Sequence, residues 1–411
     1  MNELKKYFKE IDSYCYRIIL VALHITIAIM TKKKISTSAA LFSFCLLLFF
    51  CCSAQKIPSK KIVLKIATLA NNYFMNKWPN PGKEICVSSK NKTWPSNIWT
   101  RAVYYEGLMA LYYIDKKQSY YDYAVEWANK HNWDLRNGAE TRNGDNQACG
   151  QTYIDLYLLD KKIERIKNIK ASIDAMMATN KIDDWTWIDA IQMAMPVFAR
   201  LGAIYKDTSY FNRMYNMYAY TKYQQGGNGL YNPATGLWWR DKDFVPPYKE
   251  PNGKDCYWSR GNGWVVAALV RVLNFLPKND PHYNEYLNDY KSMMNAIIPL
   301  QRNDGSWNVS LYDSAHFEGK ELTGTSLFTY GMAWGINKGY LNKQKFLPAV
   351  IKAWNAMSLC VHQDGFLGYV QGTGKEPKDS QPVGYDHVPD FEDFGLGCFL
   401  LGASEIYKLK R

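Results

Sequence analysis

Apolar and aromatic residues are concentrated in six short segments, each of which begins at a glycine or proline and ends in a charged or polar turn. The segments are 107–115, 150–160, 196–207, 263–273, 331–340 and 397–407. Their composition is typical of helices that are buried over most of their surface. Successive segments begin 43, 46, 67, 68 and 66 residues apart, so each interval has room for a second helix.

More polar segments of helical length occupy the intervals between these six. They are 122–132, 162–180, 210–224, 283–300 and 345–361. An alternation of six inner and six outer helices predicts an all-α fold, a closed ring of six helical hairpins known as an (α/α)6 barrel. An open helical solenoid is the alternative, and the irregular repeat and the long aromatic loops favour closure. Strand signals are confined to 230–239 and 365–371, which predicts short β-hairpins in loops.

The stretch from Trp185 to Arg200 is apolar almost throughout and contains one carboxylate, Asp189. A buried carboxylate destabilises a protein unless it is paired or protonated. On a helix, Met193 would lie one turn from Asp189 on the same face. Asp189 is therefore a candidate catalytic acid whose pKa is raised by apolar surroundings. The alternative is a carboxylate that caps a neighbouring loop.

The first 54 residues differ from the rest and predict an N-terminal extension with a signal peptide, followed by a single (α/α)6 domain over 55–411. Met30 is followed by a lysine run, a short apolar segment and small residues, the order found in secretory signals. We expect translation to begin at Met30 and the mature protein to be exported to the periplasm. The apolar segment is too short for a membrane span, so no stable membrane insertion is expected after cleavage. Cys51 and Cys52 raise the alternative of a lipoprotein, against which the bulky phenylalanines before them argue.

The chain carries a formal net charge of +12 and stays moderately basic when residues 1–54 are excluded. Its lysines are scattered rather than clustered, which argues against nucleic-acid binding and weakly favours an anionic substrate. The five cysteines after residue 54 are odd in number and widely spaced, and the six histidines of the chain are also far apart. These spacings argue against a metal site and against a disulfide framework, although one disulfide stays open.

Loops that lead into the inner helices of such a ring gather at one end, where their polar residues can converge. Asp145 precedes the helix predicted at 150–160, where it is either a site carboxylate or a helix cap. Trp239 and Arg240 form an aromatic and basic loop before the next distinctive stretch. All three residues are candidates for the site.

The most distinctive stretch is Tyr257-Trp-Ser-Arg-Gly-Asn-Gly-Trp264. Its glycines allow close approach of the backbone, and Trp258, Arg260 and Trp264 surround them. Tryptophan faces stack on sugar rings, and arginine binds a carboxylate through two parallel hydrogen bonds. The stretch therefore indicates a site for an acidic sugar, although Trp264 alone is as well explained by core packing.

Two stretches of the chain resemble the unsaturated rhamnogalacturonyl hydrolases of glycoside hydrolase family 105. They are Trp187-Ile-Asp-Ala-Ile-Gln-Met-Ala-Met-Pro196 and Tyr257–Trp264. Shorter matches fall in the order of the family at 99–107, 150–153, 324–326 and 368–371. The resemblance spans roughly residues 60–408 and implies an (α/α)6 barrel.

The resemblance also implies a reaction, the removal of a 4,5-unsaturated uronic acid from the non-reducing end of an oligosaccharide left by a polysaccharide lyase. An aspartate protonates C4 of the double bond, water adds at C5, and the hemiketal collapses to release the uronate as a keto-sugar. Asp189 matches the catalytic aspartate of the family and Asp145 its second carboxylate. Contacts with the sugar and its carboxylate are implied for Met193, Trp258, Arg260 and Trp264. The family implies no metal and no organic cofactor, and we expect a monomer whose partner is the unsaturated oligosaccharide.

The chain departs from the family at two places. Gln192 stands where the family often has an aromatic residue, and the loop 230–241 lacks a histidine that some members carry. These differences leave open which uronic acid and which adjoining sugar are accepted. Galacturonyl-rhamnose is the default, and glucuronyl linked to rhamnose or galactose is the alternative.

Other functions fit the same ring. An inverting glycosidase would use two carboxylates about 6.5–9.5 Å apart across a saturated glycosidic bond. A non-catalytic carbohydrate-binding protein would keep the tryptophan and arginine loops but would have no use for a carboxylate buried in a helix. A sugar epimerase would depend on several histidines, of which this chain has few.

Overall fold

The computed structural model describes residues 56–87 and 91–410. The predicted signal peptide and the proposed start at Met30 lie outside these residues. Among the helices that are described, none combines the length and the hydropathy that crossing a membrane requires.

Six helices form an inner ring. They are α2 (Trp99–Ile114), α5 (Cys149–Asp160), α7 (Asp189–Tyr205), α9 (Ser259–Leu273), α11 (Leu322–Lys338) and α13 (Asp393–Lys408). Each inner helix packs against the next one in this series, and α13 packs against α2. The ring is therefore closed, which confirms the predicted (α/α)6 barrel and rules out the open solenoid.

Six more polar helices lie outside the ring. They are α1 (Lys60–Lys77), α3 (Gln118–Lys130), α6 (Lys167–Met177), α8 (Thr208–Tyr223), α10 (Tyr283–Ile297) and α12 (Lys343–Ser358). Five of them overlap the predicted outer segments. The sixth, α1, begins at the cap Ser59, whose hydroxyl accepts a hydrogen bond from the Ile62 amide at 3.2 Å. It packs against α13, the last inner helix, and so completes the sixth hairpin from the opposite end of the chain.

Short elements connect the helices. One is the short helix α4 (Gly144–Gln147), and three are 3₁₀ turns (Ile163–Arg165, Gln225–Gly227 and Ile298–Leu300). There are also two antiparallel hairpins among the described residues. In the first, β1 (Ile85–Val87) pairs with β2 (Lys92–Trp94), and in the second, β3 (Tyr231–Asn232) pairs with β4 (Leu237–Trp238). The second hairpin confirms the strand signal at 230–239. At 365–371 the predicted hairpin is reduced to one antiparallel β-bridge, in which Leu367 pairs with Val361 across a short turn. The Gly368 amide donates to the carbonyl of Cys360, and the Tyr369 amide donates to that of Gly384, each at 2.9 Å.

Two glycines explain how the first and last inner helices close the ring. A Cβ atom on Gly107 of α2 would lie 2.5 Å from the carbonyl oxygen of Gly397 on α13, and one on Gly397 would lie 2.2 Å from the carbonyl oxygen of Val103. Real Cβ atoms do not approach backbone so closely. The two helices therefore touch backbone to backbone, a contact that a larger residue would push apart.

A polar network fills the centre of the barrel. The Gln192 side chain donates a hydrogen bond to Glu106 at 2.9 Å, and Arg271 Nε donates to Gln151 Oε1 at 2.7 Å. Arg200 donates to the carbonyl oxygen of Gln151 at 2.8 Å. Burial raises the pKa of Glu106 to about 7. An amide at position 192 thus serves a buried carboxyl group that an aromatic side chain could not hydrogen-bond.

The two ends of the described chain lie together. Residues 57–61 and Lys408, Leu409 and Lys410 line one open cavity of about 630 Å³. Lys408 is the last residue of α13, so this cavity lies at the end of the barrel where the inner helices finish. The opposite end, where the inner helices begin, is called the mouth below.

Candidate active site

The first turns of several inner helices bring polar side chains together at the mouth. Asp189 is the first residue of α7, Arg260 is the second residue of α9, and Asp145 lies in the short helix α4, which packs against α7. Helix N-termini carry partial positive charge, which favours acidic groups there. The fold therefore places the predicted carboxylates next to each other although 44 positions separate them in the sequence.

Asp189 forms an ion pair with Arg240. Arg240 Nε donates to Asp189 Oδ2 at 3.2 Å, while its Nη1 donates to Asp241 at 2.6 Å. The carbonyl oxygen of Arg240 accepts a hydrogen bond from the Ile188 amide at 2.9 Å, which ties the arginine loop to the start of α7. Asp189 is 8 % exposed. It is thus a buried carboxylate at the mouth, paired with an arginine from the loop after β4.

The two carboxylates influence each other electrostatically. Burial raises the pKa of Asp189, and the neighbouring guanidinium groups of Arg240 and Arg260 oppose that rise. Burial together with the negative charge of Asp189 raises the pKa of Asp145 to about 7. Asn143, whose side chain accepts from the Asn146 amide at 3.3 Å, is the N-cap of α4. Asp145 is therefore not the helix cap, and it keeps a proton close to neutral pH while Asp189 is held by arginine.

Arg260 is placed differently from the substrate clamp that the sequence predicts. Its Nη1 and Nη2 donate to the backbone carbonyls of Gln371 and Gly372 at 2.6 and 2.8 Å. Its guanidinium lies 4.4 Å from the ring centre of Trp258 and 5.0 Å from that of Phe394. Nε has no hydrogen-bond partner among the described residues. Arg260 therefore uses its two terminal nitrogens to hold the loop at 371–372, and its buried Nε–H is left without a protein partner among the described residues.

The predicted tryptophans are buried near the first turns of α9, and these buried indoles are called the wall of the mouth. Trp258 is buried and donates its indole N–H to Gln371 at 2.9 Å, and Trp264 is buried against the edge of Trp99. Trp239 stacks on Tyr257 with ring centres 6.0 Å apart. The indole N–H groups of Trp239 and Trp264 are buried and without a partner in the described part of the chain. Met193 is also buried, on α7.

Gln371 is a site residue that sequence reasoning missed. Its side-chain amide donates to the carbonyls of Glu376, Pro377 and Asp379 at 3.2, 3.3 and 2.8 Å. Through Trp258 and Arg260, Gln371 connects the most distinctive sequence stretch to the loop that follows it. The available signal was the short family match at 368–371, which ends at this glutamine.

An open cleft of about 380 Å³ lies beside Arg240. It is lined by Thr186, Trp187, Gln225, Arg240, Asp241, Lys242 and Asp243. Trp187 is partly exposed, and Lys242 is exposed and forms no ion pair with any described residue. The cleft is large enough for a sugar ring next to Asp189, and sequence reasoning did not place Trp187 or Lys242 in the site.

Comparisons with known proteins give one consistent family. The model for Glycosyl Hydrolase Family 88 matches residues 66–410. The chain is 32 % identical over 332 residues to an unsaturated 3S-rhamnoglycuronyl hydrolase of Formosa agariphila, covering 76 % of this chain and 85 % of that one.

Among solved structures, a glycosyl hydrolase family 88 protein from Bacteroides vulgatus is 32 % identical, with a TM-score of 0.77 over 86 % of this chain and all of that one. A protein described as a polysaccharide lyase is also 32 % identical, with a TM-score of 0.75 over 85 % of this chain and 97 % of that one. A family 105 glycoside hydrolase from C. acetobutylicum shares the fold at 19 % identity, with a TM-score of 0.64 over 84 % of this chain and 99 % of that one.

Proposed function

Because the chain belongs to Glycosyl Hydrolase Family 88, we propose that it removes a 4,5-unsaturated uronic acid from the non-reducing end of oligosaccharides produced by polysaccharide lyases. The observation that carries this proposal is the pair of neighbouring carboxylates, Asp145 and Asp189, with Arg240 bound to Asp189 at the mouth. A hydration needs one group that gives a proton to carbon and takes another from water, and it needs a cation for the uronate.

In the proposed mechanism, the substrate carboxylate competes with Asp189 for Arg240. When Arg240 turns to the substrate, Asp189 loses the cation that lowers its pKa and takes up a proton. Asp189 then protonates C4, and the resulting carboxylate draws a proton from the water that adds at C5. The hydrated ring is a hemiketal that opens and releases the remaining oligosaccharide. Asp145 positions water or sugar, and the free N–H of Arg260 and the indole N–H groups bind sugar oxygens.

The adjoining sugar is proposed from the relative of Formosa agariphila, which is named for a 3S-rhamnoglycuronyl unit. We place an unsaturated uronic acid joined to rhamnose in the site, with the rhamnose in the cleft against Trp187. Lys242, which is exposed and forms no ion pair with a described residue, is then the cation that meets a sulfate group at O3 of that rhamnose. Replacement of Lys242 by alanine should raise KM for the sulfated disaccharide and leave KM for the unsulfated one unchanged.

The experiment that tests the function is incubation with a panel of lyase-generated unsaturated disaccharides. The panel varies the uronic acid, the adjoining sugar and its sulfation. Hydration destroys the enol ether, so its ultraviolet absorbance should fall for at least one member. Saturated disaccharides serve as the comparison, because an inverting glycosidase would cleave them. A protein that leaves every unsaturated disaccharide unchanged contradicts the proposal.

A second candidate function is suggested by the similarity to a protein described as a polysaccharide lyase. A lyase creates the unsaturated bond that a hydrolase of this kind consumes. The same absorbance would therefore rise with an intact polysaccharide rather than fall with an unsaturated disaccharide. A rise in absorbance therefore indicates a lyase and a fall indicates a hydrolase, and both are measured in the same spectrophotometer.

We propose in addition that the protein is exported after removal of the segment before Gln55. The support is the basic, apolar and small-residue order that begins at Met30. N-terminal sequencing of the protein isolated from cells should begin near Gln55. An intact N-terminus at Met1 would overturn this proposal.

A further inference from the structure

A second cluster of titratable side chains lies between two loops that lead to the mouth. Glu250 belongs to the loop between β4 and α9, and Asp313 and His316 belong to the loop between α10 and α11. Each residue offers one ligand atom, and the three atoms lie within 4.8 Å of one another. His316 is 66 positions from Glu250 along the chain, so the cluster is formed only by the fold.

The charges in this cluster do not balance. Glu250 and Asp313 are 3 % and 4 % exposed. His316 contacts Glu250 through Nδ1, and no lysine or arginine of the described residues forms an ion pair with either carboxylate. Two carboxylates beside one imidazole keep a net negative charge even when the imidazole is protonated. A bound cation would offset this net negative charge.

Neutral donors hold the carboxylates in place. Ser310 Oγ donates to Glu250 Oε1 at 3.0 Å, and the Asn252 amide donates to Asp313 Oδ2 at 3.1 Å. The His316 amide donates to Asp313 Oδ1 at 3.2 Å. These hydrogen bonds orient the oxygens without cancelling their charge, and a carboxylate oxygen has lone pairs left for a further partner.

We propose that Glu250, Asp313 and His316 bind one divalent transition-metal ion of the zinc class. An imidazole nitrogen together with carboxylate oxygens is a ligand set for zinc, whereas calcium and magnesium prefer oxygen ligands alone. Metal–ligand bonds are about 2.0–2.2 Å long. Glu250 and His316 exchange their direct contact for bonds to the ion, and any proton shared between them is released to solvent.

The ion joins the two loops next to the wall of the mouth. Ser310, which donates to Glu250, forms a β-bridge with Trp258. The role assigned to the ion is therefore structural, the ordering of the loops that carry Trp258. Sequence reasoning expected no metal because it compared the spacing of cysteines and histidines along the chain, and this cluster uses no cysteine and a single histidine.

The test measures zinc in the full chain, purified without a polyhistidine tag. The chelator-treated protein is titrated with Zn²⁺ by calorimetry, and its Tm is followed with and without Zn²⁺. We expect one ion per chain and a Tm that rises by about 2 °C or more at saturation. His316→Ala and Asp313→Asn should each remove stoichiometric binding and the Tm response. His362→Ala is the matched control, because the one described carboxylate paired with that histidine is Asp386, 4.0 Å away, and its Zn²⁺ binding and Tm response should equal those of the unchanged protein.

Each outcome of the zinc titration either supports or overturns the proposed metal site. Chelator-treated protein that binds no Zn²⁺ and shows no change in Tm overturns it. Binding that survives in both His316→Ala and Asp313→Asn also overturns it, because the ion then lies elsewhere. Stoichiometric binding of Ca²⁺ with none of Zn²⁺ overturns the choice of metal class. The readouts do not use the sugar assay, so they are independent of the proposed hydrolase activity.

Discussion

Arg240 and Asp189 face each other across the mouth with Nε and Oδ2 3.2 Å apart. The arginine comes from the loop after β4 and the aspartate from the first turn of α7, so the pair joins two separate elements of the ring. Burial raises the pKa of Asp189 while Arg240 opposes that rise, so loss of the arginine would raise this pKa further. In the proposed mechanism, this ion pair couples the binding of an acidic substrate to the protonation of Asp189.

Asp189→Asn should lower turnover by at least about 100-fold, because an amide can neither give nor take the proton. The fold and disaccharide binding should be kept, since asparagine is nearly isosteric. Loss of enol-ether absorbance measures turnover, and the Tm reports the fold. Asp183→Asn, an exposed carboxylate on the segment before α7, is the control and should keep full activity. Near wild-type rates in Asp189→Asn would refute the mechanism.

Arg240→Gln should shift the alkaline limb of the kcat pH profile by about one pH unit toward higher pH. Arg240 lowers the pKa values of both Asp189 and Asp145, so its removal lets both carboxyl groups keep their protons to higher pH. KM should rise in the same variant because the uronate loses its cation. Lys242→Gln removes a nearby positive charge that does not contact Asp189 and should leave the limb in place. An unchanged limb in Arg240→Gln would exclude the coupling.

Asp145→Asn should stabilise the protein at alkaline pH while impairing activity. The pKa of Asp145 in the folded state, about 7, is above the ordinary value of 3.8, so its ionisation opposes folding. The penalty is absent below pH ~4, grows as the pH rises toward 7 and is complete above it. Thermal unfolding should therefore show a gain of about 4 kcal/mol at pH 8 and little change at pH 4. An equal effect at both pH values would contradict the assigned pKa.

Arg260→Lys should damage both binding and stability. Lysine cannot span the carbonyls of Gln371 and Gly372 or offer a third N–H in the plane of the guanidinium. Loss of hydrogen bonds to a charged group predicts a rise in KM of about 10-fold or more, together with a lower Tm. Steady-state kinetics and calorimetry measure the two effects. Unchanged kinetics with a lowered Tm would make Arg260 a structural residue alone.

Gly397→Ala should prevent stable closure of the ring. The added Cβ would meet the carbonyl oxygen of Val103 at 2.2 Å, and backbone cannot rotate away as a side chain can. We expect a loss of about 3 kcal/mol or more in unfolding free energy, measured by urea denaturation. Gly384→Ala, where the nearest atom would be 3.6 Å away, is the control and should be neutral.

The sequence predicted the inner helices well but placed their starts too late. Segment 397–407 lies within α13, which begins at Asp393, and segment 196–207 misses the first turns of α7. The apolar pattern marks only the part of each helix that packs in the core. The first turns carry polar residues because they reach the mouth, and these turns hold the site.

Other features depended on contacts between distant parts of the chain. Helix α1 packs chiefly against α13 at the other end of the chain, although its Phe74 and Asn71 also contact Tyr104 of α2. Asp145, Asp189, Trp258 and Arg260 could be named from local motifs and from a family resemblance. That Arg260 binds backbone carbonyls and Arg240 binds Asp189 could not be predicted, because loop conformation decides which arginine reaches which oxygen.

The shared position of the two chain ends has a practical consequence. Residues 57–61 and Lys408–Lys410 meet on the face of the barrel opposite the mouth. A bead, a membrane anchor or a fused polysaccharide-degrading domain attached through either end would therefore sit behind the ring. Such a tether leaves the path of an incoming oligosaccharide open, so an immobilised form of the enzyme should work at the rate of the free one.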